Sequence, residues 1–252
     1  MLLLLPPSET KRDGGDGVVD VSALSFPELT AARTELVDRV VALAADHDAT
    51  MRALKLGPRQ SGEVERNRSL REAPTMPALD RYTGVLYDAL GAATLDAAAR
   101  EFAHRTVVVH SALFGFVRAL DGIPAYRLSH DSRVPDVRLR AFWRKPLAAV
   151  LASTPGVILD LRSEGYAELG PAPAREGSAF VRVVALEGDG RRRALNHFNK
   201  HAKGRFTRAL LESRPEISSL AELVDWAGSQ GFRLDLGDGA APGAVRELEL
   251  VA

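Results

Sequence analysis

Residues 1–11 read MLLLLPPSETK: an unbroken apolar run, a Pro6-Pro7 stop, then polar side chains. A short apolar run closed by a turn signal reads as a buried first strand. It is too short for the apolar region of a signal peptide, and far short of the roughly 20 residues of a membrane span. No membrane association is therefore expected. Residues 8–17, SETKRDGGDG, are polar and Gly-rich and mark a flexible loop at the strand's carboxyl end. Such a loop is a natural place for function.

Working outward, Ser25 with Glu28 three residues on forms a capping box, and Leu29, Ala32, Leu36, Val40 and Leu43 follow at helical spacing. Residues 54–70 place Gly57-Pro58 between two short helix-like pieces, and residues 73–77 form a second break. Residues 95–104 read as helix and 106–110 (TVVVH) as a β-branched strand; 111–127 is a connection punctuated by Gly and Pro. Later strands are expected at 157–161, 180–186, 232–236 and 247–251, and helices near 142–151, 203–212 and 219–227. Ser219 and Glu222 form another capping box. Strands interleaved with helices, without a strict βαβα rhythm, predict an α+β (mixed α/β) chain with a central mixed sheet surrounded by helices. At 252 residues, 46% hydrophobic and without an internal repeat or linker, residues 1–252 are expected to form a single domain, with a helical hairpin insert at about 50–72.

The 33 basic and 33 acidic side chains cancel, so attraction to nucleic acid must come from a local patch. The absence of cysteine excludes disulfides, thiolate catalysis and Cys-ligated zinc, and fits a reducing, cytoplasmic compartment. The departure from neutrality is residues 191–208, RRRALNHFNKHAKGRFTR, with five arginines, two lysines and no acid. Arg191, Arg192 and Arg193 read as a solvated turn. Lys200, Lys203 and Arg205 surround Gly204 at an expected strand-to-helix junction, where free amide N–H groups favour an anion; the competing reading is ordinary surface charge.

Ser8 and Lys11 have an S-x-x-K spacing, but following a strand and preceding glycines they read better as polar ligands than as an acyl-transfer pair. His197 and His201 lack the glutamate of a zinc-protease helix and lie among cations, so no metal site and no cofactor is expected. Asp160, Glu164 and Glu168 are interleaved with Arg162, which points to ion pairing. No G-x-x-x-x-G-K-[ST], G-x-G-x-x-G after a strand or G-x-S-x-G occurs, so no catalytic motif of a common class is present.

The opening MLLLLPPSETK resembles the apolar strand and S-P-A-K-T with which peroxide-stress YaaA-family proteins begin. Further segments agree in order: 80–84 (DRYTG) with D-V-Y-x-G, 111–118 (SALFGFVR) with S-G-L-Y-G-x-L-R, and 124–128 (PAYRL) with P-Y-R-L. Phe142-Trp143, 163–166 (SEGY) and 200–205 (KHAKGR) then match F-W, S-x-E-Y and K-K-A-R-G, so the likeness runs from residue 1 to about 236. Pro7 to Glu9, the shifted Glu164 and His201 depart from the pattern. The resemblance implies a compact fold peculiar to the family, a positively charged cleft and a helix-hairpin-helix element that contacts DNA, for which Gly57 with Arg52, Lys55 and Arg59 is the local candidate; an ordinary helical hairpin is the competing reading. It also implies a role in resistance to hydrogen peroxide, keeping intracellular free iron low and limiting damage to DNA and protein.

Two functions follow. The first is non-specific double-stranded DNA binding through Lys200, Lys203, Arg205 and the 52–59 hairpin. The second is an enzyme acting on a small anionic ligand, with Ser8, Lys11, Tyr82, Arg118, Arg127, Lys200 and Lys203 converging on one cleft.

Overall fold

The run Leu2–Leu5 forms strand β1 in the middle of a sheet, with all four side chains buried. It pairs in parallel with β3 (Val107–Ser111) on one side and β6 (Ile158–Asp160) on the other: Leu3 is in register with both Val107 and Leu159. A strand covered on both faces has no solvent side, so its sequence shows no alternation. The computed structural model describes residues 1–186, 192–194, 198–237 and 244–251.

Among these residues the main sheet continues through β7 (Ser178–Leu186) to β10 (Arg246–Val251), both parallel to their inner neighbours. Antiparallel strands close it: β4 (Gly115–Arg118) on β3, β9 (Arg233–Leu236) on β10, and β8 (Arg192–Ala194) against the end of β7. A separate two-stranded sheet pairs β2 (Thr75–Pro77) with β5 (Gly122–Pro124). Around these lie α1 (Thr30–Leu43), α2 (His47–Ala53), α3 (Gly62–Arg68), α4 (Ala78–Arg81) and α5 (Val85–Leu90). They are followed by α6 (Ala97–Thr106), α7 (Leu139–Ser153), α8 (Glu164–Ala167), α9 (Phe198–Ser213) and α10 (Leu220–Ser229). This is the expected α+β arrangement of a mixed sheet with helices around it.

Local expectations differ in four places. Ser25 does not cap a helix: its N–H and hydroxyl both bind the Asp121 carboxylate, at 3.0 and 2.8 Å, and α1 begins only at Thr30 after a 3-10 turn. A partner distant in sequence displaces the local cap. The break at 73–77 and the connection at 111–127 contain β2, β4 and β5, strands too short and too rich in Gly and Pro to announce themselves. The loop 8–17 is pinned, with bridges joining Lys11 to Tyr82 and Asp16 to Thr75. The buried Arg81 side chain adds bonds to the carbonyls of Arg12 and Gly14. Gly15 serves close approach there, since a Cβ would stand 2.0 Å from the Thr75 oxygen.

Helix α9 starts at Phe198, so Gly204 lies in its second turn and the strand-to-helix junction expected around it is absent. Gly204 instead lets α9 cross α5: a Cβ would meet the Leu86 carbonyl oxygen at 2.2 Å and Ala89 Cβ at 2.8 Å. Because the first obstacle is backbone, Gly204→Ala must push the helices apart. The expected cost is about 1–3 kcal/mol, read as a lower urea midpoint at unchanged m-value; an unaltered midpoint would show that the crossing is not tight.

Candidate functional site

In parallel sheets the carboxyl ends of the strands open a crevice where ligands bind. Here β1 runs into Pro6, Pro7, Ser8 and Glu9, and β6 into Leu161, Arg162 and Ser163. All of these except the buried Arg162 line a pocket of about 350 Å³. Its other walls are Leu86 near the start of α5, the turn Leu128, Ser129 and His130, Tyr166 of α8, and Asn199, Lys200 and Lys203 of α9.

The floor rests on a buried ion pair. Arg162 Nε and Nη2 donate to the two oxygens of Asp160 at 2.8 and 2.6 Å, and Nη2 also reaches the Gly170 carbonyl at 2.9 Å. Arg162 Nη1 lies 2.9 Å from His110 Nδ1. Burial, reinforced by this guanidinium, holds the His110 pKa well below its ordinary value. The ring is therefore neutral, with Nδ1 accepting and the proton on Nε2. The carboxylates between 160 and 168 are all engaged, Glu164 with Arg182 at 3.2 Å and Glu168 with Arg140 at 3.0 Å, as the interleaved arginine indicated.

Two lysines stand at this crevice with little solvent. Lys203 is 4% exposed; its Nζ lies 3.4 Å from the Arg162 carbonyl and 5.4 Å from the Phe180 ring centre. Burial pushes its pKa down to about 8, against the opposing pull of Asp160. Lys11 is buried behind the pocket wall and donates to the Ser8 and Glu9 carbonyls at 3.0 and 3.4 Å. Its Nζ sits 4.1 Å from the Tyr126 ring centre and 5.3 Å from that of Tyr82. Burial first, then the Arg127 guanidinium, lowers its pKa to about 7.

Of the residues singled out from sequence, Ser8, Lys200 and Lys203 line the pocket. Arg127 adjoins it, pairing with Glu9 at 2.7 Å. Ser8 Oγ approaches Thr10 Oγ1 at 3.2 Å while Lys11 holds the Ser8 carbonyl, which is not the geometry of a lysine-activated serine. The Tyr82 hydroxyl is buried in a chain with the Tyr126 hydroxyl at 2.8 Å and thence Ser111 Oγ at 2.7 Å. Arg118 lies on the edge strand β4, where it binds the His104 and Arg105 carbonyls at the end of α6. Gly204 belongs to the α5–α9 crossing, and the exposed Arg205 does not line the pocket. His201 is exposed; His197 and Arg191, and the side chains of Arg192 and Arg193, lie outside the described residues.

Around Gly57 the chain runs from α2 through a 3-10 turn at Pro58–Gln60 into α3. The Gly57 N–H is already taken by Gln60 Oε1 at 3.0 Å, Lys55 pairs with Asp131 at 2.6 Å, and Arg52 and Arg59 are exposed. Sequence reading missed Asn199, Ser129 and His130, which carry no motif. It also missed the basic stretch 133–140, whose Arg133, Arg138 and Arg140 edge a second groove that shares His130 with the pocket.

A lysine with a folded-state pKa below its ordinary 10.5 binds fewer protons in the folded than in the unfolded chain between those values. Stability should therefore rise with pH from about 7 towards 10.5, as the penalty for burying the charged amine is relieved. Lys11→Met should flatten that rise in thermal denaturation followed by circular dichroism. Equal pH slopes in parent and variant would show that Lys11 is charged and compensated when folded.

Comparison with known proteins places this geometry in a family. A UPF0246 protein of Corynebacterium efficiens is 43% identical over 245 residues, covering 95% of this chain and 96% of that protein. One from Streptomyces coelicolor is 42% identical over 240 residues, 93% of this chain and 92% of the relative. A more distant UPF0246 protein from Polynucleobacter asymbioticus retains 25% identity over 246 residues, 93% of this chain and 92% of its own. The family described as peroxide stress protein YaaA matches residues 1–236, the whole span that builds the pocket, and this chain belongs to that family.

Proposed function

We propose that this protein serves the peroxide stress response in the cytoplasm by contacting double-stranded DNA non-specifically through phosphates, and that it thereby helps limit damage while intracellular free iron is kept low. The supporting observation is the junction of two basic segments distant in sequence. The hairpin is tied to the turn that lines the pocket by the Lys55–Asp131 pair at 2.6 Å and by the Arg133 N–H donating to the Ala53 carbonyl at 2.8 Å. Arg52 and Arg59 thus flank the contacts that fasten the hairpin to the segment carrying Arg133 and Arg138, and His130 lines both that segment's groove and the pocket where Lys200 stands. These five cations are exposed and unpaired with any acid among the described residues.

Exposed Lys and Arg side chains without acidic partners suit phosphate contact, because binding releases counterions rather than breaking ion pairs. The engaged Gly57 N–H shifts the weight of the hairpin's contribution to Arg52 and Arg59. The proposal assigns no iron ligand: among the described residues no group of three or more His, Cys, Asp or Glu side chains is placed to hold a metal ion. Described helices also include none long and apolar enough to cross a membrane.

The test is fluorescence anisotropy of a labelled duplex across a salt series, for the parent and for Arg133→Gln/Arg138→Gln/Lys200→Gln. These positions are exposed, so folding should be untouched, whereas changing Lys203 would disturb a buried site. Affinity should fall steeply with salt, and the triple variant should lower the log–log slope by about 0.9 for each phosphate it no longer neutralises. A variant with the parent's affinity and slope would remove this face from any DNA role.

A further inference from the structure

We infer that the pocket at the carboxyl ends of β1 and β6 is a binding site for one small molecule, an oxyanion (phosphate monoester or carboxylate) with a hydroxyl or amino group beside its charge. The inference does not depend on duplex binding. Lys203 is 4% exposed at a wall of this pocket, so a ligand that reaches it must be small enough to enter.

Three features describe the ligand. The Lys203 ammonium has three N–H donors, and its hydrogen-bond acceptor among the described residues is the Arg162 carbonyl at 3.4 Å. A buried ammonium with donors left over calls for an anionic acceptor. Asn199 stands four residues earlier on α9, hence on the same face, and its Oδ1 is buried without a partner among the described residues. That acceptor calls for an O–H or N–H on the ligand, close to the charge that Lys203 holds. Lys200 stands exposed at the mouth, where it adds attraction during entry.

The acid that lines the pocket does not oppose an anion, because the Glu9 carboxylate is held by Arg127 at 2.7 Å. Pro6, Pro7, Leu86 and Leu128 supply an apolar side against which a short carbon skeleton rests. The volume, about 350 Å³, lies at the small end of the range for small-molecule sites, roughly 300–1,000 Å³.

Protonation of Lys203 should govern affinity. The charged groups around it are Asp160 of β6, Arg162 just beyond that strand, Glu164 of α8, Arg182 of β7 and Lys200 on its own helix. Asp160 and Glu164 are both paired with arginines, which leaves the ligand as the counter-charge for Lys203. Anion binding requires the ammonium form, so affinity should fall about tenfold per pH unit above about pH 8.

The experiment is calorimetric titration of the full chain with two matched pairs of probes, glycerol 3-phosphate against methyl phosphate, and lactate against acetate. In at least one pair the hydroxylated member should bind saturably at millimolar concentrations or better, about tenfold more tightly than its partner, as one added hydrogen bond implies. The responsive pair identifies the anion as phosphate or carboxylate. Asn199→Asp places an acid in the first turn of α9, where a helix tolerates it well. It should keep the parent's melting temperature and lose at least about tenfold in probe affinity through charge repulsion. Lys203→Met, which carries no ammonium at any pH, should lose at least about tenfold in probe affinity at about pH 7. Absence of binding by all four probes, or an Asn199→Asp variant that binds as the parent does, overturns the inference.

Discussion

The site depends on a charge that has no route to water. Arg162 is fully buried, and its guanidinium is stabilised because Asp160 accepts two of its bonds and the Gly170 carbonyl and His110 accept one each. Removing one member of such a pair leaves an uncompensated ion in a low-dielectric interior, a loss of about 3–5 kcal/mol. The pair also acts as a positioning element. It fixes the turn after β6, whose carbonyl meets Lys203, and it selects the neutral tautomer of His110 that packs edge-on against Phe116 and Tyr166. Floor, wall and buried lysine therefore share one electrostatic origin.

Two more buried arginines use the same physics on the loops. Arg33 donates to the carbonyls of Ser25, Phe114 and Phe116, and Arg81 to those of Arg12, Gly14, Pro74 and Ile123. Backbone carbonyls at strand ends and turns need partners once solvent is excluded, and one guanidinium satisfies several at fixed angles. The Gly-rich segment beside the pocket is consequently held against α4 and β2, and the pocket mouth has a defined shape despite a loop-like sequence.

Zero net charge coexists with this local basicity because acids and bases are sorted by position. Glu9, Asp131, Asp160 and Glu164 are each matched to an arginine or lysine, which leaves Arg52, Arg59, Arg133, Arg138 and Lys200 exposed without acids among the described residues. Whole-chain arithmetic cannot reveal such sorting, since it depends on which acid folds against which base. The same sorting separates these exposed cations from the buried Lys203 at the pocket wall.

The mixed sheet, its apolar central strand and most helices were legible in the sequence, because burial on both faces forces a continuous run such as Leu2–Leu5 and a one-sided helix forces a repeat such as Leu36, Val40 and Leu43. Ser8, Lys200 and Lys203 were legible as a set only through order and family resemblance. What folding alone decided was the sorting of equivalent residues. Lys203 is buried while Lys200 is exposed, Arg205 faces elsewhere, and Gly204 serves a helix crossing. The silent residues Asn199 and His130 join the pocket, while Ser25 gives up a cap for Asp121. Such outcomes turn on contacts between segments far apart in the chain, which local periodicity and propensity do not encode.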